Sequence, residues 1–117
     1  MKNYQVTWSE DAEFDLENII TYIMIDSIDT AKEIFYAIKE ACQQLYHLPE
    51  RKRIVPELQQ IGITQYREYI HHRWRVIFKI QEGTVFVLMV IDSSQNIEDA
   101  LFQRLIGSGT VSKTEVR

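Results

Sequence analysis

Cysteine, glycine and proline are all scarce in this chain. Cys42 is the only cysteine among 117 residues, so no disulfide can close within it. It falls on the apolar face of a helical pattern, where a thiol serves as a small buried hydrophobe. Four glycines and two prolines provide few breaks, so long regular elements are expected. Long hydrophobic runs are missing too. The longest, Val85 to Ile91, is far too short to cross a bilayer. Met1 to Val6 is polar and leads into no apolar run, so no secretory signal is read. With so little cysteine, a cytoplasmic protein without membrane contact is expected. Positive charge is outweighed, with a formal net charge of −4. That excludes a general nucleic-acid coat, which needs an excess of Lys and Arg, but leaves room for a local basic site.

What is there suits one globular domain. Hydrophobic residues make up 45% and charged residues 26% of the chain, and its length is enough to bury a core. One domain is expected over residues 1–106, with a flexible tail over 107–117, where small and polar residues follow no period. Charge is divided along the chain. Residues 1–50 hold ten Asp and Glu against three Lys, whereas residues 51–81 hold five Arg and two Lys against two Glu.

The hydrophobic pattern gives the element order. Tyr4, Val6 and Trp8 alternate with polar residues, as in a half-buried strand. Ser9 then caps a helix that runs to about Ile25, with Ala12, Leu16, Ile19, Ile20 and Ile23 on one face. Asp29 is read as the cap of a second helix, striped by Ala31, Ile34, Phe35, Ile38, Ala41, Cys42 and Leu45. The short break between them makes an antiparallel helix hairpin. Leu48-Pro49 ends it, and residues 51–63 read as irregular. Tyr66–Ile70 and Trp74–Ile80 read as a strand pair around His71–Arg73. Val85–Ile91 is apolar without alternation, as in a strand covered on both faces. Asp92–Asn96 is a polar turn, and Ile97–Ile106 a short helix. The fold class is therefore α+β: an N-terminal strand, an antiparallel helix hairpin packed on a small antiparallel sheet, and a short C-terminal helix.

The cations concentrate in QYREYIHHRWRVIFKI, residues 65–80. A two-residue turn at His71-His72 would set Ile70 opposite Arg73 and Glu68 opposite Arg75. An opposite-charge pair across strands then holds the register. The same cations could instead meet an anion, RNA or an acidic protein segment. Arg67, Arg73, Arg75 and Lys79, joined by Arg51 and Arg53 after the second helix, are the candidate partner-binding residues. His71 and His72, as neighbours on a strand, point to opposite faces and make no metal site. No metal or other cofactor is expected. Asp92, Ser93 and Ser94 lack the accompanying order of a hydrolase triad.

Four segments also carry a resemblance: VTWSEDAEFDLENIITYI at 6–23, DTAKEIFYAIKEACQQLYHLPE at 29–50, YREYIHHRWRVIFKI at 66–80, and VFVLMVI with IEDAL between 85 and 101. Together they resemble the RelE/ParE superfamily of toxins from type II toxin–antitoxin modules, in its ParE-like branch. Arg75 matches the arginine that opens the central hairpin strand in both branches. Arg67 and Glu68 match the Tyr-Arg-Glu of many ParE-like chains. The resemblance implies a RelE/ParE-like fold, a role in plasmid stabilisation, and a cognate antitoxin in a toxin–antitoxin hetero-oligomer. A ParE-like toxin would act by binding DNA gyrase. A RelE-like one would cut mRNA on the ribosome, here with Arg75, Arg73 and His72 near the phosphate. The loop Asp92 to Asn96 departs from the family, since relatives place His or Arg there. RNA cleavage without a metal needs groups that exchange protons and neutralise the phosphorane. Inhibitory binding to gyrase is therefore the expected action. The alternatives are the mRNA endonuclease and a non-toxic relative that only binds an antitoxin.

Overall fold

The computed structural model describes residues 3–108. Strand β1 (Gln5–Trp8) leads into helix α1 (Glu10–Met24) and then helix α2 (Ile28–Gln43). Single 3-10 turns at Gln44–Tyr46 and Pro49–Arg51 follow, with a short helix α3 (Pro56–Gln59). Strands β2 (Tyr66–His71), β3 (Trp74–Gln81) and β4 (Thr84–Asp92) form the rest of the sheet, and helix α4 (Ile97–Ser108) closes the chain. The expected tail begins at residue 107. Gly107 and Ser108 end α4 instead, and the remainder of that tail lies outside the described residues.

The sheet runs β1-β4-β3-β2. It is mixed rather than antiparallel throughout, because β1 pairs with β4 in parallel while β2, β3 and β4 are antiparallel. The cause is topological. The helix hairpin carries the chain back across the sheet, and β1 fills the edge that the hairpin strands leave beside β4.

Ser9 caps α1 as expected, its hydroxyl accepting from the Ala12 N–H at 3.0 Å. The cap of α2 is Ser27, not Asp29: its hydroxyl accepts from the Thr30 N–H at 3.1 Å. Both residue types satisfy a free N–H at a helix start. Here the extended backbone falls at Ser27, which leaves Asp29 in the first turn beside the positive end of the dipole.

Each face of the sheet buries its own cluster. On one, Ala12, Leu16, Ile38, Cys42 and Leu45 of the hairpin side meet Val76, Phe78, Val85, Val87 and Val90. On the other, Val55, Leu58, Ile97 and Leu101 cover Tyr66, Ile77, Met89 and Ile91. Trp8, Tyr69 and Trp74 pack against the first cluster. Burial pushes the Cys42 thiol up to about 12, so it stays protonated and inert.

A bulge explains the apolar run of β4. Ile77 faces Met89 but Phe78 faces Val87, which leaves Leu88 as an extra residue. The bulge reverses the alternation of the strand. Val85, Val87 and Val90 thus face the helix hairpin, and Met89 and Ile91 the opposite side. Double covering holds only for the C-terminal half, since Phe86 and Leu88 stay half-buried.

Candidate functional site

The basic stretch folds into the β2–β3 hairpin, whose register differs from the one expected. His71 pairs with Trp74, and Ile70 rather than Glu68 faces Arg75. The turn is His72-Arg73, with His72 held at φ 55°. This shifts the pairing by two positions. A shift of two preserves the faces of a strand, whereas a shift of one exchanges them. Glu68 and Arg75 therefore still share a face and meet on the diagonal, Arg75 Nε to Glu68 Oε1 at 2.7 Å.

Arg75 is not presented to a partner. It is 5% exposed, and its remaining nitrogens hold Glu57 of α3 in a bidentate pair at 3.0 and 2.8 Å. The hydrogen bonds to Glu57, against the cost of burial, raise its pKa further. Glu68, 2% exposed, also accepts from Arg53 Nε at 2.6 Å. An Arg-Glu-Arg-Glu chain thus fastens the irregular segment and α3 to the sheet. Arg75 in turn holds Glu57 down at about 2. Glu57 has a depressed pKa in the fold, so its contribution is present above the ordinary carboxylate range and lost as pH falls through about 2. Urea unfolding of the wild type should therefore lose stability between about pH 4.5 and 2. A Glu57→Gln variant should lose less across the same window.

The other candidate cations fall into separate groups. Arg67 donates to the carbonyls of Glu50 and Lys52 at 3.0 and 2.7 Å, beside the exposed Arg51 and Arg53. This group flanks the outer edge of β2, where Val55 N–H and Arg53 C=O pair with Tyr66 and Glu68. Lys79 lies across from Tyr66, half-buried, on the face that carries Arg75. Arg73 stands apart at the hairpin tip. Its guanidinium is largely exposed, caps the Asp92 carboxylate and lies over the Trp74 ring at 5.9 Å. The Ser94 N–H, then Arg73, hold Asp92 below its usual range.

The tip also gathers the histidines. Because His72 is left-handed rather than extended, its ring comes back over His71, edge to face at 4.6 Å. The Tyr69 hydroxyl lies 3.3 Å from His71 Nδ1. Partial burial and His72 keep His71 below its ordinary pKa, favouring the neutral ring. The expected separation of the two rings fails, since alternation holds only while both residues are extended. Among the described residues, no group of three or more His, Cys, Asp or Glu could hold a metal ion.

Beside the tip lies a groove of about 800 Å³, walled by Ile19, Ile23, Ile34, Trp74, Ile91 and Ala100. Sequence reasoning missed the residues at its end. β1 stops opposite Val87, so the outer backbone of β4 beyond that point has no strand beside it. Asp15 accepts the Val90 N–H at 3.0 Å, and Arg104 donates to the Leu88 carbonyl. The two side chains pair with each other at 2.9 and 3.0 Å. Burial pushes the Asp15 carboxyl up, against the Val90 N–H and Arg104. Only their position, charged on otherwise core-facing helix turns, could have signalled them.

A family profile described as ParE toxin of the type II toxin–antitoxin system parDE matches residues 6–97. The chain belongs to this ParE toxin family. Comparison with individually curated proteins finds no match. Among solved structures, the ParE fold is similar to one from the chromosomal ParDE toxin–antitoxin system of P. aeruginosa. The TM-score is 0.63 at 15% identity, over 76% of this chain and 95% of that one. A second similar structure comes from the toxin–antitoxin complex RelBE2 of Mycobacterium tuberculosis. There the TM-score is 0.57 at 19% identity, over 81% and 97% of the two chains. At such identities the likeness is one of fold. In this ParE-family chain, the strand-opening Arg75 serves the interior, while Arg73 and Arg104 are the cations at the groove.

Proposed function

We propose that this ParE-family toxin acts by binding DNA gyrase and is neutralised by a cognate antitoxin in a toxin–antitoxin hetero-oligomer. The internal use of Arg75 is the observation that carries the reading. A phosphate-cleaving site needs cations free to meet developing charge. Arg75 is enclosed by Glu57 and Glu68, and Arg73 is neutralised by Asp92. The similarity to structures from the ParDE toxin–antitoxin system and the RelBE2 complex supports an antitoxin partner. Arg51, Arg53 and Arg67 beside the β2 edge, with Lys79 on the sheet, would steer its acidic residues. Action on gyrase places the toxin in the cytoplasm. No helix among the described residues is long and apolar enough to cross a membrane. Stabilisation of a plasmid would follow from toxin and antitoxin together.

One observation favours the mRNA endonuclease as a second reading: Tyr69, His71, His72 and Arg73 meet at one tip. Pulse-labelling of cells after induction of the toxin alone separates the two. DNA synthesis should fall before protein synthesis. The reverse order would refute the gyrase reading and direct mutagenesis to His72 and Arg73. If neither falls, the chain is a non-toxic antitoxin-binding relative.

A further inference from the structure

We infer that the tip of the α1–α2 hairpin is a docking surface for a protein segment whose apolar side chains are ringed by Lys and Arg, and that this segment belongs to the toxin's target. The second part rests on the toxin reading; the first does not. Where α1 turns into α2, Tyr22, Met24, Ile25 and Ile28 are 74%, 45%, 78% and 55% exposed. Neither helix needs them for the core. Ala12, Leu16, Ala31 and Ile38 already provide the buried faces of the hairpin. Scattered apolar residues on a surface are ordinary, but a contiguous group of large ones marks a contact site. Tyr22 also overhangs the groove that Ile19, Ile23 and Ile34 line, which offers the incoming side chains somewhere to go.

The surrounding charge selects the partner. From Glu17 to Glu33 the exposed charges are Glu17, Asp26, Asp29 and Glu33 against Lys32 alone. A ring of that sign repels nucleic acid and anionic lipid, and attracts a segment with cations around an apolar centre. It is also opposite in sign to the exposed Arg51 and Arg53 beside the β2 edge. The fold thus presents two surfaces of opposite preference, one for acidic segments and one for basic ones.

The test uses the full chain and two labelled amphipathic peptides, one of Leu/Lys heptads and one of Leu/Glu heptads. The Leu/Lys peptide should bind, less tightly as salt rises, and at least about tenfold more tightly than the Leu/Glu peptide. Tyr22→Ser with Ile25→Ser should weaken it about tenfold, and Asp26→Lys with Asp29→Lys to a similar degree. The two serine positions are exposed, so far-UV circular dichroism and melting temperature should not change in the serine variant, whereas Asp29→Lys, at the positive end of the α2 dipole, should lower the melting temperature slightly. Equal binding of both peptides, or unchanged affinity in the serine variant, would overturn the docking surface. So would a wild-type dimer in sedimentation that the serine variant dissolves, because the patch would then belong to a second copy. For the target, growth arrest should be lost in the serine variant, and undiminished arrest would overturn that part. A wild-type protein that leaves gyrase supercoiling untouched counts against gyrase alone, since peptide binding reads the tip directly.

Discussion

Arg75→Ala should destabilise the folded chain by about 3–5 kcal/mol, read as a lower urea midpoint at pH 7. The substitution strands Glu68, whose side chain is fully buried, with only Arg53 as a counter-charge. It also releases Glu57 and with it α3, whose Leu58 covers the second core. Removing one partner of a buried pair costs far more than the pair contributes, because desolvation of the survivor is no longer offset. The control follows from the same physics. Glu68→Leu with Arg75→Met removes both charges and should recover most of the loss. Arg73→Ala should change stability by no more than about 0.5 kcal/mol, since its pair with Asp92 is exposed. Any loss of toxicity in the alanine variant of Arg75 would therefore report unfolding, whereas the same loss in Arg73→Ala would report a contact. A wild-type urea midpoint for Arg75→Ala would refute the structural role.

Arg104→Ala should have the next largest effect, about 1.5–3 kcal/mol. It leaves the Leu88 carbonyl with only the longer bond from the Ser9 hydroxyl, at 3.4 Å, and Asp15 without its counter-charge at a site where burial already disfavours the carboxylate. The loss should be local before it is global. Apart from Ile97 and Leu101, the described α4 side chains are half-buried or exposed, so the helix depends on this polar attachment. Hydrogen exchange should quicken in α4 and at the Val90 amide, while Ile38 and Phe78 keep their protection. Uniformly faster exchange would show that Arg104 supports the whole core instead. Asp15→Asn keeps an acceptor for the Val90 N–H and should cost less than Arg104→Ala.

Much of this was legible from period and composition. The apolar stripes of α1 and α2 reach the core as expected, because helical spacing is local and the hairpin needs only one partner layer. Ser9 as a cap, and strands around the basic stretch, follow from equally local chemistry. Glu68 and Arg75 were legible as a pair even though the register expected for them was two positions off, since parity alone sets the face of a strand. The resemblance to ParE-like toxins rested on collinear segments, which the family match over residues 6–97 bears out.

What the sequence by itself determined, then, is the order of the main elements, the buried side of α1, α2, β2 and β3, and the family; residues 51–63 read as irregular, yet they hold α3. Only the tertiary structure decided how the charges are used. An arginine on a strand reads the same whether it meets a partner or the interior. Arg75 became internal because α3 carries Glu57 over it, from eighteen positions away. The bulge at Leu88 exchanged the faces of β4, and the left-handed His72 brought two rings together that extended backbone would separate. The parallel pairing of β1 left part of the β4 edge bare, and Asp15 and Arg104 meet over it from eighty-nine positions apart. Apart from the His72 turn, which is local but left-handed, each of these depends on contacts between residues distant in the chain, and local pattern carries no information about them.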